Sequence, residues 1–114
     1  MAVRLNKIWE ALTRENVSRV AGHMGVYQLA DGAGEVMFIG VAGGASPFGL
    51  RGELESHLSE KAAATEQFRF EITTAYHSRF RELVQVYLND HGHLPPGNQD
   101  LDASAFGRVR PNPT

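Results

Sequence analysis

A tyrosine two residues after a glycine, in Gly25-Val26-Tyr27, and a phenylalanine two residues before another, in Phe38-Ile39-Gly40, flank the turn Asp31-Gly32-Ala33-Gly34-Glu35. A glycine at a strand end lets another backbone or a ligand come close, so these two pairs mark one surface where chemistry is expected. Further along lie the other side chains able to do acid–base or ligand work: Arg51, His57, Arg79, Glu82, His91, His93 and Asn98. Each also has a purely structural reading. Tyr27 fits a core aromatic with its hydroxyl at the surface. Glu82, three residues after Arg79, fits a solvated helix ion pair worth a few tenths of a kcal/mol. His57 borders an apolar helix face, and Asn98 follows Pro95-Pro96-Gly97 in ordinary turn chemistry. The pair His91 and His93 around Gly92 admits a metal, but a helix C-terminus favours a protonated histidine without one. His23 is a lone histidine ahead of a strand.

Composition narrows the choice. The chain of 114 residues is one domain with a single modest core, 1–114. It has no cysteine, which excludes disulfides, thiolate metal sites and a Cys nucleophile. No apolar run reaches the ~20 residues of a membrane span and the N-terminus lacks a signal-peptide apolar core, so a cytoplasmic protein is expected. With a formal net charge of −2 the chain is not a basic nucleic-acid coat, although a local patch remains open around Arg79 and Arg81, with Arg108 and Arg110 in the tail.

The elements that must position these residues follow from periodicity. Leu5, Ile8, Trp9 and Leu12 recur at helical spacing and predict a helix over 4–12, with a further helical turn around Val17 and Val20. Residues 25–30 and 36–40, rich in β-branched and aromatic side chains around a Gly/Asp turn, predict a β-hairpin. Ser46-Pro47 reads as an N-cap and first helical residue, opening a helix to about residue 58 with Leu50, Leu54, His57 and Leu58 on one face. Gly49 and Gly52 weaken that helix by roughly 1 kcal/mol each. Residues 60–65 read as a linker. The alternation Gln67-Phe68-Arg69-Phe70-Glu71-Ile72-Thr73 predicts a third strand. From 76 to 90 the stripe Phe80, Leu83, Val84 and Tyr87 predicts the strongest helix, stopped by Gly92. The tail 99–114 carries only Leu101 and Phe106 as docking residues. The class is α+β, a small three-stranded antiparallel sheet flanked by helices.

Taken in order, Gly25-Val26-Tyr27, then Phe38-Ile39-Gly40, then a helix with Arg51 and His57, then Glu82 in a helix, then Asn98, resemble the GIY-YIG nuclease domain over about residues 25–98. The resemblance implies a stand-alone, metal-dependent endonuclease that hydrolyses phosphodiester bonds in DNA, in repair, restriction or mobile-element processing. Such chemistry needs an activated water, a stabiliser for charge building on the phosphoryl oxygens and help for the leaving oxygen. By motif, Tyr27 is then the base or water-positioning residue and Glu82 the ligand of one Mg2+ or Mn2+. An arginine on the helix after the hairpin stabilises charge, His57 matches the helix histidine, and Asn98 orients groups or closes the turn over the site. DNA is the implied partner, with a homodimer or protein partner as a source of specificity.

Two departures stand against this. Phe38 occupies the place of the second motif's tyrosine, so one phenol is lost. Aligning His57 puts Glu53 where the arginine belongs, and Arg51, two residues back, is rotated ~200° away. A carboxylate there repels phosphate. Three solutions remain: a shifted helix that uses Arg51, a site with no such arginine, or Arg79 in the role. The alternative function is therefore a catalytically degenerate GIY-YIG-like domain that binds nucleic acid or protein, and a plain structural subunit is a third. The enzyme reading requires Tyr27, Glu82 and an arginine to converge on one phosphate-sized space.

Overall fold

In the computed structural model the chain enters the sheet through a two-residue strand, β1 (Glu10–Ala11), followed by one short helix, α1 (Arg14–Ser18). Thr13 caps α1, its Oγ1 accepting the Asn16 N–H at 3.1 Å. The hairpin β2 (Gly25–Ala30) and β3 (Val36–Ala42) comes next, then α2 (Gly49–Glu60), β4 (Gln67–Ile72) and α3 (Tyr76–His91). Residues 4–60 and 65–106 are described; part of the expected linker (61–64) and the end of the expected tail (107–114, with Arg108 and Arg110) lie outside the described residues, as do residues 1–3.

The fold is α+β with an antiparallel sheet in the order β1-β4-β2-β3. β1 is the strand by which four differ from the expected three. Asp31 makes the hairpin turn: its Oδ1 accepts the N–H groups of Ala33 and Glu35, both at 2.9 Å. β2 is buried along its whole length because β3 and β4 flank it and helices cover both faces. On one face Tyr27, Leu29, Ala42 and Phe68 pack against Val17 of α1 and Leu50 and Leu54 of α2. On the other, Val26 and Ile39 pack against Leu83, Val84 and Leu88 of α3. The two faces are therefore two separate cores.

A bulge refines the alternation. Leu29 pairs with Phe38 but Ala30 pairs with Val36, leaving Met37 over. Val36 accordingly packs on the α3 side while Phe38 packs on the α2 side.

The helix expected over 4–12 is not formed. Leu5 belongs to the α3-side core and Leu12 to the α2-side core, so the segment crosses the sheet edge from one face to the other, with Ile8 87% exposed between. Of the four apolar residues at helical spacing, Leu5 and Leu12 thus serve opposite faces of the sheet, which the stripe of a single helix does not do. α2 also begins at Gly49 rather than at Pro47, with Ser46 in the turn before it. α3 runs to His91 and ends as expected: Gly92 adopts φ 76°, the left-handed conformation of a helix C-terminus, and its N–H reaches Leu88 O at 2.7 Å. Among the described residues no helix is long and apolar enough to cross a membrane.

Candidate functional site

Tyr27 lies in the central strand, opposite Gly40 of β3 and Phe70 of β4. Its ring lies across Gly40: a Cβ built on that glycine would sit 2.2 Å from the ring's Cζ. The glycine is there for the tyrosine's own ring, not for a ligand. Only 1% of Tyr27 is exposed, and its hydroxyl ends against α2. His57 Nε2 is 2.9 Å from that hydroxyl and Glu53 Oε1 is 3.4 Å away. Glu53 and His57 are one helical turn apart, on the flank of the Leu50–Leu54 stripe that turns toward β3. Ser46 completes the group, donating to Glu53 Oε2 at 2.9 Å and accepting the Gly43 N–H at 3.2 Å. The Phe38 ring packs 4.9 Å from the His57 ring.

The proton inventory links these side chains. The phenol has one proton to give. If it goes to Glu53, His57 must present Nε2–H to the phenol oxygen; if it goes to His57 Nε2, the imidazole carries its proton on Nδ1. Burial pushes the Tyr27 phenol well above its ordinary value, and the Glu53 carboxylate pushes it further the same way. Burial pulls the His57 imidazole down, against the opposing pull of Glu53 and Glu60. A neutral phenol beside a neutral imidazole is the resulting state. The cation that would favour a phenolate is replaced by a carboxylate that disfavours it.

The remaining expected residues lie elsewhere. Arg51 is on the opposite flank of α2, bordering a shallow groove with Ser18, Phe48 and Glu55. Glu82 projects from α3 on the other face of the sheet, so it does not converge with Tyr27. Its Oε1 bonds Arg79 Nη1, and Arg79 also grips Glu71 of β4 through two bonds of 3.1 Å. Arg79, 12% exposed, already occupies the position of a cation between the two carboxylates. Arg79 therefore competes with a metal ion for Glu82 Oε1. Of the expected basic patch, Arg81 donates to Ala105 O at 2.7 Å and covers the Phe106 ring.

Asn98 has a structural task. Its Oδ1 accepts the Ile39 N–H at 2.8 Å and its Nδ2 donates to Ile39 O at 2.9 Å, so the side chain acts as a one-residue strand on the outer edge of β3. This closes the turn Pro96–Asn98 over the hairpin, with Gly97 against Phe38. The result is a groove of about 350 Å³ bordered by Met37, Phe38, His57, Glu60 and Pro96. His91 stacks on Tyr87 at 4.1 Å, while His93 Nδ1 lies 2.9 Å from Leu94 O. Among the described residues no group of three or more His, Asp and Glu side chains is placed to hold a metal ion.

Sequence reasoning missed Ser46, whose capping role was the more familiar assignment. The available signal was the pair Glu53 and His57, four apart beside an apolar stripe, which marks a polar seam facing the sheet. Residues 3–90, which include Tyr27, Ser46, Glu53, His57, Arg79 and Glu82 but not Asn98, match a family described as Domain of unknown function (DUF7508). No curated protein matches the sequence. The match spans most of the chain, and the protein belongs to the DUF7508 family.

Proposed function

We propose that this domain is a GIY-YIG-like scaffold that does not hydrolyse phosphodiesters and instead binds a protein partner. The observation that carries the reading is Glu53 at the Tyr27 hydroxyl, in the place where phosphoryl chemistry needs a cation. The separation of Glu82 from Tyr27 by the thickness of the sheet supports it. Among the described residues the groove beside His57 is lined by no Lys or Arg and offers Leu29, Met37, Phe38 and Pro96, surfaces suited to an apolar side chain.

The test is a cleavage panel of duplex, branched and single-stranded DNA and RNA with Mg2+ or Mn2+, followed by peptide selection on the immobilised protein. Intact substrates are expected, with enriched peptides that bind the wild type and lose binding to Phe38→Ser. Cleavage that disappears in Glu82→Ala overturns the reading. So do peptides indifferent to Phe38.

One observation favours the endonuclease instead: a phenol and an imidazole 2.9 Å apart at the margin of an open groove are able to pass a proton. On that reading DNA and one Mg2+ or Mn2+ would enter beside His57, and cleavage would require Tyr27 and His57 whatever becomes of Glu82.

A further inference from the structure

The two outer edges of the sheet are finished differently. On β3, Asn98 satisfies both main-chain groups of Ile39. On β4, cover is partial. The Thr73 N–H donates to Met24 O at 3.1 Å, so Thr73, Glu71 and Arg69 direct their main-chain groups toward β2, and Phe68, Phe70 and Ile72 direct theirs outward. β1 covers Phe68 through Glu10 and stops there. Among the described residues no hydrogen bond reaches the outward N–H and C=O groups of Phe70 and Ile72. The chain before β1 swings off the edge, leaving an open groove of about 760 Å³ between Asn6-Lys7-Ile8 and β4. Ile72 is 53% exposed and Ile8 87%. Edge strands of this kind are normally blunted by Lys, Pro or a cover. Here two exposed isoleucines stand beside one.

We propose that this edge pairs with the same edge of a second copy, antiparallel about a two-fold axis at Glu71. Two outward residues separated by one inward residue are self-complementary under that symmetry. Phe70 pairs with Ile72 of the partner subunit and Ile72 pairs with Phe70 of the partner subunit, which satisfies all the exposed donors and acceptors and adds no unpaired one. The same register lays each phenylalanine ring beside an isoleucine on the α2 side. At the axis Glu71 meets Glu71 of the partner subunit, a repulsion that the Arg79 holding each Glu71 through two hydrogen bonds reduces. The alternative register, centred on Phe70, would bring Ile72 to Phe68 of the partner subunit, whose outward groups β1 has taken. The register centred on Glu71 pairs Phe70 and Ile72 with each other and meets no group that β1 has taken. Closed two-fold pairing also removes the edge from further association.

The chain has no cysteine, which makes the register directly testable. At the axis the two residues 71 form a non-hydrogen-bonded antiparallel pair, with Cα atoms about 4.5 Å apart, within disulfide reach. Glu71→Cys is expected to cross-link into a dimer under mild oxidation, whereas Glu55→Cys, on the exposed side of α2, is not. In sedimentation equilibrium the wild type is expected to dimerise, and Ile72→Lys, an exposed-position change that leaves the monomer core intact, to weaken association at least about tenfold. Ile72→Lys should also abolish the cross-link. A wild type that stays monomeric at high concentration overturns the proposal, as does a dimer insensitive to Ile72→Lys. Pairing of the edge with an unrelated extended peptide by a monomeric wild type counts equally against it.

Discussion

On the α2 side of the sheet, Ser46, Glu53, Tyr27 and His57 share hydrogen bonds in a half-buried group that holds a carboxylate and no Lys or Arg. On the α3 side, Glu71 and Glu82 are gripped by one arginine. Both arrangements bury charge, yet they resolve the cost differently. Arg79 holds both of its carboxylates by ion pairing. Glu53 is held by hydroxyls alone, those of Ser46 and Tyr27, as acceptor of their hydrogen bonds. A pair of sites that would have to cooperate in a metal-dependent hydrolase is thus divided into one closed ion pair and one proton-bearing network.

The comparison is broken most severely at Gly40. Gly40→Ala places a methyl group where the Tyr27 ring lies, and the ring has no second position in a packed core. A loss of about 3 kcal/mol in urea unfolding is expected. Arg79→Met should follow, at about 2 kcal/mol, because it strands two half-buried carboxylates while keeping the side-chain volume. Tyr27→Phe removes only a hydroxyl and should cost about 1 kcal/mol, through the partners it leaves on His57 and Glu53. If Tyr27→Phe proves as damaging as Arg79→Met, the α2-side network is more tightly coupled than its hydrogen bonds indicate.

The smallest effect, and the one that most sharpens the contrast, is pH. Burial lowers the His57 imidazole below its ordinary value of 6.5, so as pH falls through that value the unfolded chain takes the proton first. Stability should therefore decline on acidification from about pH 6.5. His57→Gln is expected to flatten that slope in denaturant melts. The Tyr27 phenol is shifted the other way. Above its ordinary value of 10.0 the unfolded chain ionises while the folded chain keeps the proton, so stability falls again on the alkaline side. Absorbance at the phenolate band should show Tyr27 resisting ionisation in the folded protein, a resistance absent from Tyr27→Phe. Neither slope should change in Glu82→Gln.

Several of these features were legible from residue order. Asp31 and the glycines around it, between two β-branched runs, defined the hairpin because only that turn chemistry closes two short strands. Gly92 ended α3 where expected, and Phe38 and Glu53 stood out as departures from the nuclease pattern that the sequence resembles. Residues 4–12 were misread because Leu5 and Leu12 have a helical spacing for an unrelated reason: the segment wraps an edge and serves both faces. Asn98 was placed in turn chemistry, but the strand it completes is remote in sequence. Ser46 was read through its nearest neighbours, whereas its partner Glu53 is two helical turns away.

By itself the sequence determined the α+β class, the hairpin, β4 and α3, because each is written in local periodicity or turn residues. Only the tertiary structure decided that Tyr27 and Glu82 face opposite ways, that Arg79 holds Glu82, and that Asn98 covers Ile39 on one edge of the sheet while Phe70 and Ile72 are left outward on the other. Those outcomes depend on which face of the sheet each helix covers and on how far β1 extends along β4. Both are set by contacts between residues remote in the chain, where a difference of one residue in strand register carries a side chain through to the other side.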